Sequence, residues 1–460
     1  MTSGERARAE LPWLGHVRAT LALGLPLIGA QLAQMAINVT DTVMVGRLGA
    51  PELAAAVLAT QTFFLVWMFG TGFALAIMPL AASAAGQGFR QGVRRSVRMG
   101  LWVLAAYGAL VMLPLWHTEG ILLLLGQDPE VAAVAGRFMR VLQWSMFASL
   151  FIMGLRSYLS VLGRAHVVLW ATVLGAVLNA LFCYALIFGH FGMPALGVVG
   201  AAFASVGTSL FIALLLFAYT LWAPGLRAYE MYSRIWRPDW PAFREVLRLG
   251  WPISTTIIAE VGLFTASSIM MGWLGTLELA AHGITLQLAS IAFMIPLGLS
   301  NAVTVRVGLA HGQRDWAALG RAAKAGLGVA AVVALLSALL FWMLPETLIG
   351  LYLDREDPNA GEVLRLGVPL LAVAAAFQMV DALQVVGSAA LRGLKDTRVP
   401  MVIALFSYWL VGMPSAWLLA FVAGWGGVGI WCGLALGLLS AAVLLNWRFL
   451  RRDRLGLLDH

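Results

Sequence analysis

The sequence predicts an all-α integral membrane protein of twelve transmembrane helices, in two parallel six-helix repeats related by a pseudo-two-fold axis along the membrane normal. Three observations predict it. The 460-residue chain is 61% hydrophobic and 11% charged, with mean hydropathy +0.87, more apolar surface than one water-soluble core can hide. Apolar runs long enough to cross roughly 30 Å of hydrocarbon recur about twelve times. The two halves also align without gaps: Leu23-Gly24-Leu25-Pro26 falls on Leu249-Gly250-Trp251-Pro252, Gly46-Arg47-Leu48-Gly49 on Gly272-Trp273-Leu274-Gly275, and Glu52-Leu53-Ala54-Ala55 on Glu278-Leu279-Ala280-Ala281. Each pair is 226 residues apart, as 250 is from 24. Six spans per repeat is an even number, so the second copy re-enters the membrane in the same orientation, and two such bundles are expected to rock about a central interface.

Span one, 19–45, carries Pro26, Gln34 and Asp41; span two, 53–81, carries Gln61, Phe64, Trp67, Met68 and Pro79. Spans three and four are expected at 99–116 and 131–160. Span five, 167–190, holds Asn179 and Cys183, and span six follows at 196–222. A linker at 223–243, with Trp222, Tyr229, Tyr232, Trp236 and Trp240 among arginines, reads as a solvated stretch anchored at headgroup depth. It divides an N-terminal lobe, 1–222, from a C-terminal lobe, 244–460. Span seven, 246–272, carries Pro252 and Glu260; span eight, 278–310, carries Gln287, Phe293, Met294 and Pro296. Span nine is placed at 322–344, and span ten, 362–391, brings Phe377, Gln378, Asp381 and Gln384. Spans eleven and twelve are expected at 400–422 and 427–447. Pro26 and Pro252 are placed near the starts of their spans, where proline costs least, and Pro79 and Pro296 are expected to bend theirs.

Orientation follows from the basic residues, which stay on the cytoplasmic side. Alternate loops, beginning with Arg6, Arg8 and Arg18, hold all of the 30 Lys and Arg except Arg47, Arg137, Arg140, Arg355 and Arg365. Both termini are therefore expected in the cytoplasm, in a multi-pass protein of the inner (plasma) membrane. The same bias accounts for the formal charge of +8 without a nucleic-acid partner, because the charge is spread over loops beside lipid headgroups. The N-terminal stretch lacks a short apolar region with a small-residue cleavage site, so span one is expected to be retained. Cys183 and Cys432 lie in distant spans and read as small core side chains.

Of 22 acidic residues, only Asp41, Glu260 and Asp381 fall inside spans. The duplication did not copy them. Asp41 aligns with Ser267, Glu260 with Gln34, and Asp381 with an apolar stretch near Leu150 and Phe151. An ionised side chain at a span's centre costs about 2.5 to 3.5 kcal/mol on insertion scales, a cost relieved by taking a proton or binding a cation. Glu260 and Asp381 are thus candidate cation-coupling residues, and candidate Na⁺ ligands if the ion is sodium. Hydroxyls at Ser254, Thr255, Thr256, Thr265, Ser267 and Ser268 flank Glu260, while Gln378 and Gln384 share a helical neighbourhood with Asp381. Asp41 either joins them or sits at the outer interface near Arg47. Asn179, Gln34, Gln61 and Gln287 either contact a ligand or bond between helices. Phe64, Trp67, Met68, Phe264, Met270, Phe293 and Met294 are candidates to line an adaptable cavity, since thioethers and aromatic faces accept varied and cationic ligands.

Gly424, Gly426 and Gly429 spell GxGxxG, but no strand is predicted before them, and Gly426 and Gly429 recur in the repeat as Gly197 and Gly200; a tight turn is expected. No HExxH, GxSxG or Walker-type lysine loop occurs. Neither a cofactor nor enzymatic activity is expected.

In the order and spacing of Asp41-Thr42-Val43-Met44-Val45-Gly46, Ala280-Ala281-His282, Arg306-Val307-Gly308, and Asp381 followed by Leu391-Arg392-Gly393-Leu394-Lys395-Asp396-Thr397, the chain resembles the multidrug and toxic compound extrusion transporters, in their NorM-like branch. The resemblance implies a monomeric antiporter that exports varied, often cationic organic drugs while Na⁺ or H⁺ runs inward. It implies that Asp41 and Asn179 serve the N-terminal lobe, and that Glu260 and Asp381 form the cation site of the C-terminal lobe, with the glutamate marking the branch. Phe377, one turn before Asp381, stands where some relatives have a tyrosine, so no hydroxyl role carries over. Cys183 stands where relatives often have a stronger polar group. The alternatives are a lipid-linked oligosaccharide flippase, which needs a cationic cavity, and a polytopic membrane enzyme such as a lipid transferase, which needs a compact interfacial constellation.

Overall fold

The computed structural model describes residues 12–354 and 356–458; Arg6, Arg8 and Arg355, whose sides of the membrane were assigned above, lie outside the described residues. Among the described residues every regular element is helical. Eleven helices are long and apolar enough to cross a membrane, or twelve when one bent pair is counted as a span.

Span one is α1 (Trp13–Gly46), span two α2 (Ala50–Gly86) and span three α3 (Arg90–Trp116), followed by the short α4 (Thr118–Leu124). The fourth span is the bent pair, α5 (Pro129–Leu142) and α6 (Ser145–Val161), meeting at 48°. Then come α7 (Ala165–Phe188), α8 (Val198–Trp222), α9 (Trp240–Leu274), α10 (Thr276–Gln313), α11 (Trp316–Met343), the short α12 (Pro345–Gly350) and α13 (Ala360–Gly393). Span eleven is wound unevenly: α14 (Arg398–Leu405) and α15 (Met413–Trp417) are each followed by a π-helical stretch, Phe406–Gly412 and Leu418–Val422. The chain closes with α16 (Gly426–Leu450).

Pro26 and Pro252 are not near helix starts. α1 begins at Trp13 and α9 at Trp240, so each proline lies well inside its helix. The sequence reading placed the starts too late because His16, Arg18, Arg244 and Arg248 are polar. They nevertheless continue the helices, where a span leaves the hydrocarbon without ending its hydrogen-bonded ladder.

Just beyond these prolines the chain changes partners. One compact unit is Gly29–Ser254; the other joins Met1–Ile28 to Thr255–His460. The two breaks are equivalent in the repeat, since 254 lies 226 residues after 28. In the first unit the backbone of Ser254, on α9, lies so close to Gly72 of α2 that a Cβ on the glycine would fall 2.4 Å from Ser254 N. In the second, Gly298 of α10 meets Ile28 of α1 in the same way, at 2.7 Å from Ile28 N. Only glycine permits backbones this near. The second unit adds a polar clamp: Arg306 of α10 donates to His16 O at 2.8 Å and to Thr20 Oγ1 at 2.6 Å.

The segment after α8 is packed rather than wholly solvated. Leu226 and Met231 are buried, Trp102 Nε1 donates to Ile235 O at 2.7 Å, and Arg94 pairs with Glu230 at 3.3 Å. Arg95 pairs with Asp239 just before α9, and its guanidinium holds the Asp239 carboxyl below the usual carboxylate range.

The duplication also appears in the backbone. Gly197 and Gly426 both take positive φ, 59° and 56°, immediately before or at the start of their helices, so the GxGxxG motif forms a turn. The position of Gly88 (φ 71°) is filled in the second repeat by Arg314 (φ 56°). A left-handed conformation costs an L-residue roughly 1–2 kcal/mol, partly offset by the extra chain entropy glycine loses. Arg314→Gly is therefore expected to stabilise the protein by about 0.5–1 kcal/mol, read as a higher midpoint of thermal unfolding in detergent. A lower midpoint would show that the arginine side chain contributes more than its backbone costs.

Candidate functional site

In the unit Gly29–Ser254 the polar centre is Asp41. α1 carries it between Thr40 and Thr42, whose hydroxyls donate back to Ala36 O and Asn38 O, and α7 and α8 bring three donors to it. Asn179 Nδ2 donates to Oδ1 at 2.6 Å, Cys183 Sγ to the same oxygen at 3.2 Å, and Ser205 Oγ to Oδ2 at 3.2 Å. Thr208 Oγ1 orients the amide by donating to Asn179 Oδ1 at 3.0 Å. Asn179 and Cys183 are one turn apart and both fully buried. Among the described residues no ion pair joins Asp41 to Arg47; the carboxylate faces the helices, not the outer interface. Cys183, read from sequence as a simple core side chain, is a donor in this network. Ser205 and Thr208 were not singled out, although two hydroxyls three residues apart in an apolar span were the available signal.

A fully buried amide with both ends bonded makes a sharp stability test. Asn179→Leu leaves the Thr208 hydroxyl without its acceptor and removes the shortest bond to Asp41, costing about 2 kcal/mol. Cys183→Ser keeps a donor of similar size and is expected to be near neutral. Thermal unfolding of the two variants in detergent checks the difference, and equal midpoints would exclude the network as a stabilising element.

The second polar centre lies in the other unit. Glu260, half-buried on α9, and Asp381, 4% exposed on α13, are within electrostatic reach of each other and of Tyr408 in the first π-helical stretch. Gln384 Nε2 donates to Tyr408 OH at 2.7 Å. Asp381 Oδ1 and Gln384 Oε1 are buried acceptors with no hydrogen-bond partner among the described residues, and Gln378 Nε2 is a buried donor in the same condition. Asp381 and Gln378, with Phe293 and Pro296 of α10 and Ser337 of α11, line a cavity of about 10 Å³, roughly the space one water needs. The unsatisfied Asp381 carboxylate oxygen beside such a space is a group that a hard cation or a proton would complete.

Four of the hydroxyls flanking Glu260 in sequence bond elsewhere. Thr265 donates to Val261 O, Ser267 and Ser268 to Phe264 O, and Ser254 to Phe69 O.

Beside this centre stands an aromatic layer. Phe377, 2% exposed, sets its ring edge against Phe264 at 6.0 Å and Trp431 at 5.3 Å. Trp431 Nε1 donates to His282 Nδ1 at 3.1 Å, and His282 Nε2 meets Ser268 Oγ at 3.0 Å. An indole nitrogen only donates, so Nδ1 must accept and the proton sits on Nε2. His282 is thus a neutral ring with both nitrogens satisfied.

The other candidates are scattered. Phe64 and Gln61 are exposed on α2, with Trp67 half-buried 5.9 Å from Phe64 between ring centres and Met68 beside it; Gln34 is exposed on α1. In the other unit Gln287 and Met294 are half-buried on α10, and Met270 is buried on α9. Gln34, Gln61 and Gln287 make no side-chain hydrogen bond among the described residues.

The MatE family model matches residues 26–185 and 252–418. A probable multidrug resistance protein NorM of Rhizobium meliloti is 55% identical over 445 residues, covering 97% of this chain and 95% of that protein. Among solved structures, a eukaryotic MATE transporter superposes with TM-score 0.84 at 22% identity, over 97% of this chain and 99% of that one. A MOP superfamily transporter from Pyrococcus furiosus, described as having a binding pocket of reverse polarity that suggests a different function, gives 0.86 at 20% identity over 97% of each chain. At those identities the structures speak for the fold; the family rests on the sequence matches. The chain belongs to the MATE family, in its NorM-like branch, and is a multi-pass membrane transporter rather than an enzyme.

Proposed function

We propose that this protein is a cation-coupled multidrug efflux antiporter of the plasma membrane. It exports varied, often cationic organic compounds by alternating access while Na⁺ or H⁺ runs inward, and it works as a monomer with both termini in the cytoplasm. The observation that carries the reading is the Glu260–Asp381 pair, with Asp381 Oδ1 buried and unpartnered beside a water-sized cavity. Two carboxylates at that depth persist most cheaply when a mobile cation or proton visits them. The high identity to proteins named for multidrug resistance supports the drug side.

In this mechanism the cation occupies Glu260 and Asp381 and favours the conformation that releases drug outward, while drug taken up from inside disfavours the cation. Each ligand shifts the equilibrium only by its differential affinity, and the coupling is reciprocal. One charge crossing 100 mV supplies about 2.3 kcal/mol, a roughly fifty-fold substrate gradient before any ion gradient is added. Asp41 and Asn179 are assigned to the drug side of the cycle, with Phe64, Trp67 and Met68 of α2 in the same unit as adaptable wall. A pyrophosphate-linked lipid would want cations where this chain places acids, which disfavours a flippase. The test is efflux of a cationic dye from proteoliposomes carrying a sodium gradient or a proton gradient, one at a time. Acceleration by exactly one of them identifies the ion, and acceleration by neither overturns the proposal.

A further inference from the structure

A second cavity, of about 300 Å³, lies in the unit that contains Thr255–His460, lined by α11, α13 and α16; on α13 its lining residues Val380 and Leu383 adjoin Asp381, but it shares no lining residue with the acids' cavity. Its wall is aliphatic over most of its length. Leu439 and Val443 at its edge are 45% and 58% exposed, so the cleft opens sideways onto the apolar belt, where the solvent is lipid. One end is different. Lys324 of α11 stands exposed at the rim, and Arg452, just past α16, holds its guanidinium 4.8 Å over the Phe449 ring that lines the cleft and against Gly320 of α11. Arg452 Nε is buried with no hydrogen-bond partner among the described residues. Arg451 lies next to it, 5.0 Å over exposed Trp447, an arrangement suited to headgroup depth. Of the acids nearby, Asp396 is already held by Arg448 at 2.6 Å, and Asp453 is exposed. Asn446 lines the cleft, but its amide is turned inward: it donates to Leu383 O and Ala442 O and packs against Gly387 of α13.

We propose that this cleft is a binding site for an anionic glycerophospholipid. One acyl chain fills the aliphatic groove, and the phosphate lies between Lys324 and Arg452. The chemistry at each end selects this occupant. Acyl methylenes gain little from leaving other lipid, so affinity comes chiefly from the basic end, where each Lys or Arg near a membrane surface attracts anionic lipid by about a factor of five. The flat side of a helix from a second copy would not fill a concave groove.

The test uses the full chain purified in detergent, with bound lipid counted by native mass spectrometry as phosphatidylglycerol or phosphatidylcholine of the same acyl chains is titrated. Phosphatidylglycerol is expected to bind at least about fivefold more tightly. Lys324→Gln, an exposed change, should remove about fivefold of that preference and leave phosphatidylcholine unaffected. Val443→Trp, which fills the mouth from an exposed position, should abolish retention of phosphatidylglycerol. If that variant unfolds at a lower temperature than wild type without lipid, Leu439→Trp serves in its place. Equal affinity for both lipids, retention undiminished by the cleft-filling variant, displacement of lipid by millimolar inorganic phosphate, or a dimer that the same variant dissociates would each overturn the proposal.

Discussion

Asp381→Asn, and separately Glu260→Gln, are expected to reduce gradient-driven efflux to the level of protein-free vesicles while the protein still inserts and folds. Each amide keeps the size and hydrogen-bonding capacity of the acid but can neither take up a proton nor supply the charge that holds a cation. Because the two groups are within electrostatic reach, removing one charge also changes what the other binds, so both variants should fail rather than one compensating for the other. Stability should move the other way. A buried carboxylate at this depth is destabilising, and its amide should leave the thermal midpoint unchanged or raised. Dye efflux under an imposed ion gradient, alongside thermal unfolding of the same preparation, separates loss of coupling from loss of fold. Wild-type efflux in either variant would remove the pair from the mechanism.

The largest structural effect is expected at Gly433. Along one face of α16, Gly429, Gly433 and Gly437 follow at four-residue spacing, and span eleven lies on them backbone to backbone. A Cβ on Gly433 would fall 2.2 Å from both N and Cα of Ala416, and one on Gly437 2.7 Å from Gly412 Cα. The obstructing atoms are main chain, so no rotamer change makes room. Gly433→Ala is expected to cost about 3 kcal/mol, at the upper end of overpacking effects. Gly328→Ala on α11, where nothing lies within 4 Å of an added Cβ, should be neutral or stabilising by roughly 0.5–1 kcal/mol. Thermal midpoints of the pair in one detergent check the contrast. Equal midpoints would mean that the contact is looser than its geometry. Because Tyr408 lies on the same span and reaches Gln384 of α13, Gly433→Ala is also expected to disturb the acidic centre.

The number and order of the spans could be read from the apolar runs along the chain, and the duplication from its constant offset. The fourth span came as a bent pair and the eleventh with two π-helical stretches, neither of which leaves a mark in hydropathy. The three acids could be named because each is an isolated charge in a long apolar run. Apart from Asn179, their partners could not. Ser205 and Thr208, which join Asn179 and Cys183 around Asp41, carry only a weak signal in sequence, Tyr408 carries none, and of the hydroxyls adjacent to Glu260, Thr265 and Ser267 serve their own helix while Ser254 bonds to α2. His282 and Trp431 bond across 149 positions of chain, with nothing local to join them.

What the sequence by itself determined is what hydrocarbon enforces: a backbone that must be helical, a length for each span, and a heavy cost on every charge left inside, which makes the few exceptions conspicuous. Only the tertiary structure decided how each helix is rotated and where it crosses its neighbours. In a soluble helix an apolar stripe reveals the buried face, but these spans are apolar all round, so periodicity carries no rotation. The exchange of partners at Ile28 and Ser254, the donors around Asp41 and the glycine face of α16 all follow from such rotations, settled by close backbone packing between segments far apart in the chain.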